Sequence, residues 1–447
     1  MSKSQLSSEE IFQLEDKHGC HNYQPLPVAL CRGEEGRNVW GSVTKRCQCE
    51  PITKPPLFSC LSVRPCVIGL YLMNGIYVWD VEGKKYYDFL SAYSALNQGH
   101  CHPRIITALK KQAEKLTLVS RAFYSDQLGL YERFMTKTFG YDKLLPMNSG
   151  VEGGESACKM ARKWAYQVKG VPENQAKIIF ASGNFWGRTL AAVSSSTDPE
   201  CFGGYGPYMP GFIVVPYDNV SALEEALKDP TVAAFMVEPI QGEAGVVIPA
   251  DGYLKKVREL CTKYNVLWIA DEVQTGLGRT GKMLAVEHEG VKPDIVVLGK
   301  ALSGGVLPIS AVLANDPVMN TIKPGTHGST YGGNPLACAV ATQAIKVLID
   351  ENLCENSEKL GHILREELRK IPKELVPIVR GKGLMNAIVV AKGISAWDVC
   401  LRLRDHGLLA KPTHGDTIRL APPLIITEAE LRACARIIRD VIASFAN

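Results

Sequence analysis

Between residues 103 and 345 the chain alternates short apolar runs, KIIFAS, GFIVVPY, VAAFMVEP, VLWIADE, DIVVLGK and ISAVLAN, with segments of helical period. Continuous apolar runs of this length predict strands buried on both faces, and the helix-length spacers predict crossover connections. Together they point to a large, doubly wound, mostly parallel α/β sheet. A helix is expected to open near Val151, behind the turn SGVEGG, because Ala157, Met160, Ala161 and Trp164 recur at helical spacing. Upstream, GIYVWD and KKYYDFL read as a hairpin joined by VEGK, with Gly83 in the turn. After about 345 the pattern predicts one amphipathic helix through IKVLIDENLCENSEKLGHILREELRKI, a strand at LMNAIVV, another helix, and the closing helix LRACARIIRDVIASF. The resulting division is an N-terminal segment, 1–95, a large domain, 96–344, and a C-terminal small domain, 345–447. The N-terminal segment and the C-terminal region are expected to form a smaller α+β domain packed on the sheet.

Composition narrows the possibilities. The 447 residues carry 50 Lys and Arg against 46 Asp and Glu, and the basic residues are dispersed, so nothing suggests a nucleic-acid surface. The apolar stretch CVIGLYLM at 66–73 falls well short of the roughly 18 residues that cross a bilayer. The first nineteen residues include Glu9, Glu10, Glu15 and Asp16 and lack an apolar or Arg-rich address, which points to the cytoplasm, with the mitochondrial matrix as the alternative. In that setting the 14 cysteines read as reduced thiols.

Two strand ends carry candidate chemistry. PDIVVLGK delivers Lys300 to the carboxyl edge of the sheet, and YNVLWIADEVQTG delivers Asp271, with Gln274 three residues on. A lysine amine condenses with the aldehyde of pyridoxal phosphate, and a carboxylate facing the pyridine nitrogen keeps the ring protonated and able to accept electrons. The bland alternative is a strand-end lysine reaching solvent beside an Asp that caps a helix. NSGVEGGESACKMARKW could seat a phosphate on free backbone N–H groups at the helix start, and THGSTYGGNP adds the hydroxyls of Ser329 and Thr330. Each motif is ambiguous alone. Cys158 reads as a small buried residue on the phosphate helix, and GHCHP as a loop entering a helix at Pro103 rather than a metal site.

Taken in order, GNFWGRT, EPIQGEAG, ADEVQTGLGRTG, LGKALSGG and HGSTYGGNP form a specific set. With them the chain resembles the class III, fold-type I pyridoxal-phosphate aminotransferases. HNYQPLPVAL, SAYSALNQGHCHP, RAFYSDQLG, PMNSGVEGGESACKMARKW and LRLRDHGLLAKPTHGDTIRLAPPL are similar to the members of that family that act on the δ-amino group of ornithine.

The resemblance implies a role for each matching residue. Lys300 would hold the cofactor and shuttle a proton, Asp271 would face the pyridinium nitrogen, and Gln274 the phenolic oxygen. Phe185 would stack on the ring, and Gly150 and Val151 would give backbone N–H groups to the phosphate. Ser329 and Thr330 would reach the phosphate of the neighbouring subunit in a homodimer. Tyr23 and Arg188 would grip the far end of ornithine, with Tyr93 lining the pocket. Arg419 would bind an α-carboxylate near the ring and Glu243 would neutralise it while ornithine reacts. The implied substrates are L-ornithine and 2-oxoglutarate, the kinetics ping-pong, and the setting proline biosynthesis and arginine metabolism. Acetylornithine or 4-aminobutyrate as donor, or a catalytically silent scaffold, are the alternatives.

The chain departs from the family pattern once. Roughly forty additional residues, from about Cys31 to Asn74, separate PLPVAL from GIYVWDVEG; they hold Cys31, Cys47, Cys49, Cys60 and Cys66 and sustain no helical or strand period. A surface loop, a thiol-rich regulatory element and translated non-coding sequence compete as explanations, and the last is favoured. Recovery of peptides spanning Cys47 to Arg64 from the native protein would exclude it.

Overall fold

A computed structural model describes residues 7–18, 26–34 and 75–446. Among these, seven strands form a central sheet in the order Lys143–Met147, Ser310–Ala314, Ile295–Leu298, Leu267–Asp271, Val232–Val237, Lys177–Ala181, Phe212–Val215. Ser310–Ala314 runs antiparallel to both neighbours, and the other recorded pairings are parallel. The three strands at its centre, Val232–Val237, Leu267–Asp271 and Ile295–Leu298, are buried along their whole length, which is why their sequences run apolar without alternation. The KLLPM strand escaped the hydrophobic pattern because it is short and contains Pro146; its edge position tolerates that proline.

The helix Gly150–Trp164 packs on this sheet with Ala157, Met160, Ala161 and Trp164 buried. The hairpin expected upstream is present as Tyr77–Asp80 and Lys85–Asp88, with Gly83 at φ 88° in the turn. The single helix expected after 345 is two helices, Pro335–Asp350 and Leu353–Leu368, broken at Asn352. Asn352 adopts φ 52°, a left-handed conformation that an Asn accepts more readily than most side chains and that no apolar period reveals. The first of these helices runs on through residues 344 and 345.

A second, antiparallel sheet holds Ile378–Lys382, Met385–Val389, Thr417–Leu420 and Lys411–Thr413. A third joins the two ends of the chain: Leu30–Glu34 pairs with the hairpin, and Leu408–Leu409 adds to its other side. At the start of the atypical excursion, Cys31–Glu34 lies in a strand held by backbone pairing to the hairpin; LCRGE lacks the alternation that would have marked it. Residues 35–74 lie outside the described residues.

Candidate active site

The strand-end chemistry converges on one edge of the central sheet. Asp271 closes its strand and is 5 % exposed. Lys300 follows the neighbouring strand after Gly299 and takes φ 45°, which turns the chain out of the sheet into a tight helical turn. Burial, helped by the Arg419 charge, pushes the Lys300 ammonium down to about 8 against the pull of Glu243, Asp271 and Glu238. Burial also pushes Asp271 up to about 6, although Val273 N–H donates to Oδ1 at 3.1 Å and Lys300 favours the ionised form. The amine thus loses its proton far more readily than an ordinary lysine, and the carboxyl gains most from a cationic N–H laid against it.

Ser149 caps the Gly150–Trp164 helix through a reciprocal pair: its Oγ accepts from Glu152 N at 3.3 Å, and Glu152 Oε2 accepts from Ser149 N at 2.6 Å. The first-turn N–H groups of Gly150 and Val151 have no carbonyl four residues behind them within the helix, so they are available to an outside anion. Space requires a glycine at 150, where a Cβ would stand 2.9 Å from Val273 Cγ1. A cavity of about 340 Å³ opens here, lined in part by Asn148, Ser149, Gly150, Lys300 and Ser303. Ser329 Oγ accepts from Asn148 Nδ2 at 2.8 Å, which rests its loop beside the helix cap, while Thr330 is exposed.

Phe185 is half-buried, and its N–H donates to Glu238 Oε1 at 3.1 Å. Glu238 Oε2 accepts from Gly242 N at 3.0 Å, so one carboxyl ties the Phe185 loop to the loop that carries Glu243. Burial, reinforced by the Asp271 charge, pushes Glu238 up to about 8 against those two donors. The sequence reading missed Glu238. Its signal was the same as that of Asp271, an acid at the tip of a fully buried strand, here VAAFMVEP.

The small domain supplies the opposite wall. Arg419, 2 % exposed on Thr417–Leu420, donates through Nη2 to Glu243 Oε2 at 3.0 Å and through Nη1 to Gln274 Oε1 at 2.8 Å. Burial alone would raise the Glu243 carboxyl; the charge and hydrogen bonds of Arg419 override it and hold the group below its ordinary value. Gly242 leaves room for this arrangement, since a Cβ there would lie 2.3 Å from Gln274 Oε1. The Tyr93 ring centroid is 5.3 Å from Arg419 Cζ. Arg188 is exposed, with Cζ 5.5 Å from the Phe185 ring centroid. Tyr23 lies outside the described residues.

The other candidates are elsewhere. His100 Nε2 meets Asp88 Oδ2 at 2.8 Å, and His102 Nε2 meets Glu351 Oε1 at 3.1 Å. Cys158 is buried, with its thiol pushed up to about 12 by burial.

These residues fit pyridoxal phosphate. Lys300 is a buried amine whose charged form is disfavoured, Asp271 a buried carboxyl in want of a cation, and a cavity lies between Lys300 and the helix start at Gly150.

The family description Aminotransferase class-III matches residues 63–442, and the chain belongs to that family. Its sheet and smaller mixed domain are those of fold-type I pyridoxal-phosphate enzymes, and pyridoxal phosphate is its cofactor. The particular relatives are ornithine aminotransferases. The chain is 62 % identical over 437 residues to "Ornithine aminotransferase, mitochondrial" of Drosophila melanogaster, covering 98 % of this chain and 92 % of the relative. The solved ornithine aminotransferase of Toxoplasma gondii, described with partial occupancy of PLP at its active site, matches with a TM-score of 0.89 and 47 % identity over 99 % of this chain and 96 % of that one. An acetylornithine aminotransferase structure from Elizabethkingia anophelis matches with a TM-score of 0.82 and 51 % identity, over 98 % of this chain and all of that one.

Proposed function

We propose that the chain transfers the δ-amino group of L-ornithine to 2-oxoglutarate, giving L-glutamate 5-semialdehyde and L-glutamate in two half-reactions. The observation that carries this reading is the engagement of Arg419 by Glu243 and Gln274 on the wall facing Lys300. An α-carboxylate receptor that is already neutralised refuses the α end of ornithine, and the δ-amine is the end left to react. Tyr23 and Arg188 then hold the α-amino and α-carboxylate groups, with Tyr93 alongside. When glutamate or 2-oxoglutarate enters, Glu243 swings away, Arg419 takes the α-carboxylate and Arg188 the γ-carboxylate, a bidentate task suited to guanidinium.

Bound pyridoxal phosphate supplies an aldehyde to carry the amine and a ring that accepts electrons from the carbon bearing it. Lys300 Nζ takes up the proton released at that carbon, as a neutral amine can. Asp271 keeps the ring nitrogen protonated, Gln274 offers its amide nitrogen to the phenolic oxygen, Phe185 stacks on the ring, and Gly150 and Val151 hold the phosphate. Ser329 and Thr330 serve the neighbouring subunit of a homodimer. Support comes from the exposed Phe123, Tyr124 and Tyr331, and from the Arg121 Nη1 bond to Gly332 O at 3.4 Å that joins their two loops.

A single half-reaction with ornithine, N-acetylornithine or 4-aminobutyrate, followed by cofactor absorbance, tests the assignment. Ornithine should bleach the cofactor fastest. N-acetylornithine is the second reading, supported by the Elizabethkingia neighbour; faster bleaching by it would replace ornithine as the donor. The Drosophila relative is named as mitochondrial, which favours that compartment over the cytoplasmic expectation. The reaction belongs with proline biosynthesis and arginine metabolism.

A further inference from the structure

Ser91, Ala92, Tyr93 and Ser94 adopt φ of 49°, 46°, 59° and 70° in succession. Four consecutive left-handed residues with no glycine among them are costly for L side chains and persist only where their surroundings over-determine them. Here the surroundings do so at both ends. At the start, Asp88, 8 % exposed, accepts through Oδ1 from Leu90 N at 2.9 Å and Ser91 N at 2.8 Å. Its Oδ2 meets His100 Nε2 at 2.8 Å, and His100 N–H is itself tied to Gly75 O at 2.9 Å. At the end, Ala95 N–H closes the turn on Ser91 O at 2.9 Å, and Asn97 is held by Arg279 Nη2 at 2.7 Å and by its own bond to Leu277 O at 2.8 Å. The product of this bracing is the position of Tyr93, whose ring stands 5.3 Å from Arg419 Cζ.

We infer that Asp88 and His100 are positioning residues for the amino-donor reaction: their pair holds the left-handed turn Ser91–Ser94 and so aims Tyr93 across Arg419. The inference rests on the reading of Tyr93 as a pocket residue given above. A right-handed or extended path through the same four residues would send the Tyr93 side chain in another direction, because the Cα–Cβ vector rotates with φ and ψ. Neither Asp88 nor His100 need touch substrate for this. The sequence SAYSALN gives no sign of the turn, since it offers neither glycine nor Asn at the left-handed positions.

The test is a double-mutant cycle on holoenzyme, with kcat/KM for ornithine expressed per bound cofactor. His100→Ala should lower kcat/KM about tenfold in the parent chain, the scale expected when a pocket group is misplaced, and should add nothing in a Tyr93→Ala background. His100→Gln, whose amide can still donate to Asp88, should recover most of the loss. If His100→Ala yields too little folded protein, Asp88→Asn replaces it, retaining an acceptor for the backbone while altering the pair. Equal losses in the two backgrounds, or a fall in melting temperature with kcat/KM unchanged, would overturn the inference. If Tyr93→Ala alone leaves kcat/KM unchanged, the pocket reading of Tyr93 fails first and takes the inference with it.

Discussion

Arg419 Nη2 lies 3.0 Å from Glu243 Oε2, across the boundary between the small antiparallel sheet and the loop that follows strand Val232–Val237. Arg419 is 2 % exposed and the Glu243 side chain 24 %, so the acid is the member of the pair that reaches solvent. Glu243→Ala leaves a buried guanidinium with Gln274 as its remaining side-chain hydrogen-bond partner and opens an α-carboxylate site. Ornithine should then bind in both directions. The expected result is a rise of at least about tenfold in the share of product formed by loss of the α-amine, the scale on which a buried charged partner alters binding. Product analysis after one half-reaction reads it, and an unchanged α-to-δ ratio would count against the switch.

What could be read in the sequence follows from what burial writes into it. Lys300 and Asp271 were legible because each ends an apolar run, and a strand buried on both faces announces its own terminus. Glu238 ends such a run too, in the same EPIQGEAG segment as Glu243, but the resemblance that implied a role for Glu243 implied none for it. The break at Asn352 and the left-handed turn at Ser91–Ser94 are backbone events fixed by tertiary contacts, so hydrophobic period does not record them. Pro146 lies in a short edge strand, a position that tolerates proline and leaves too short an apolar run to read.

Lys300 carries a pH dependence whose direction can be worked out. Its folded value of about 8 lies below the ordinary 10.5, so the native cofactor-free protein sheds this proton before the unfolded chain does. Between about pH 8 and 10.5 the unfolded chain binds more protons, and raising pH through that window adds stability from this group. The neutral amine is also the form that reacts with an aldehyde. Uptake of pyridoxal phosphate by the cofactor-free protein should therefore quicken roughly tenfold per pH unit up to about pH 8 and level off above it. Stopped-flow absorbance would show this; a midpoint near 10.5 would mean that burial does not depress the amine.

Glu238 holds two backbone N–H groups, those of Phe185 and Gly242, with its two oxygens. Glu238→Gln keeps the shape but turns an amide N–H toward one of those donors. Losing one buried acceptor costs about 1–3 kcal/mol, which corresponds to roughly five- to hundredfold in an equilibrium constant. Because the Phe185 loop is the one expected to cover the cofactor ring, the loss should appear as weaker cofactor retention, measured by absorbance titration of the cofactor-free variant. Parent-like affinity would show that the two loops hold their places without this tie.

Ala92 offers the cleanest measure of the strain in the Ser91–Ser94 turn. It sits at φ 46°, ψ 48° and is exposed, so replacing it removes little packing. In that region an L side chain costs roughly 1–2 kcal/mol relative to glycine, because Cβ crowds the following carbonyl oxygen. Ala92→Gly relieves the crowding but loosens the unfolded chain, an opposing effect of about 0.4–1 kcal/mol. The balance favours the variant by about 0–1.6 kcal/mol. Its melting temperature as holoenzyme should rise slightly, in contrast to the usual outcome of placing glycine in a helical turn. Activity should be retained, because the Asp88 bonds to Leu90 and Ser91 and the Ala95 bond to Ser91 use backbone groups that the substitution leaves in place. A clear fall in melting temperature would show that residue 92 pays no left-handed penalty and that the turn is held by packing of its neighbours instead.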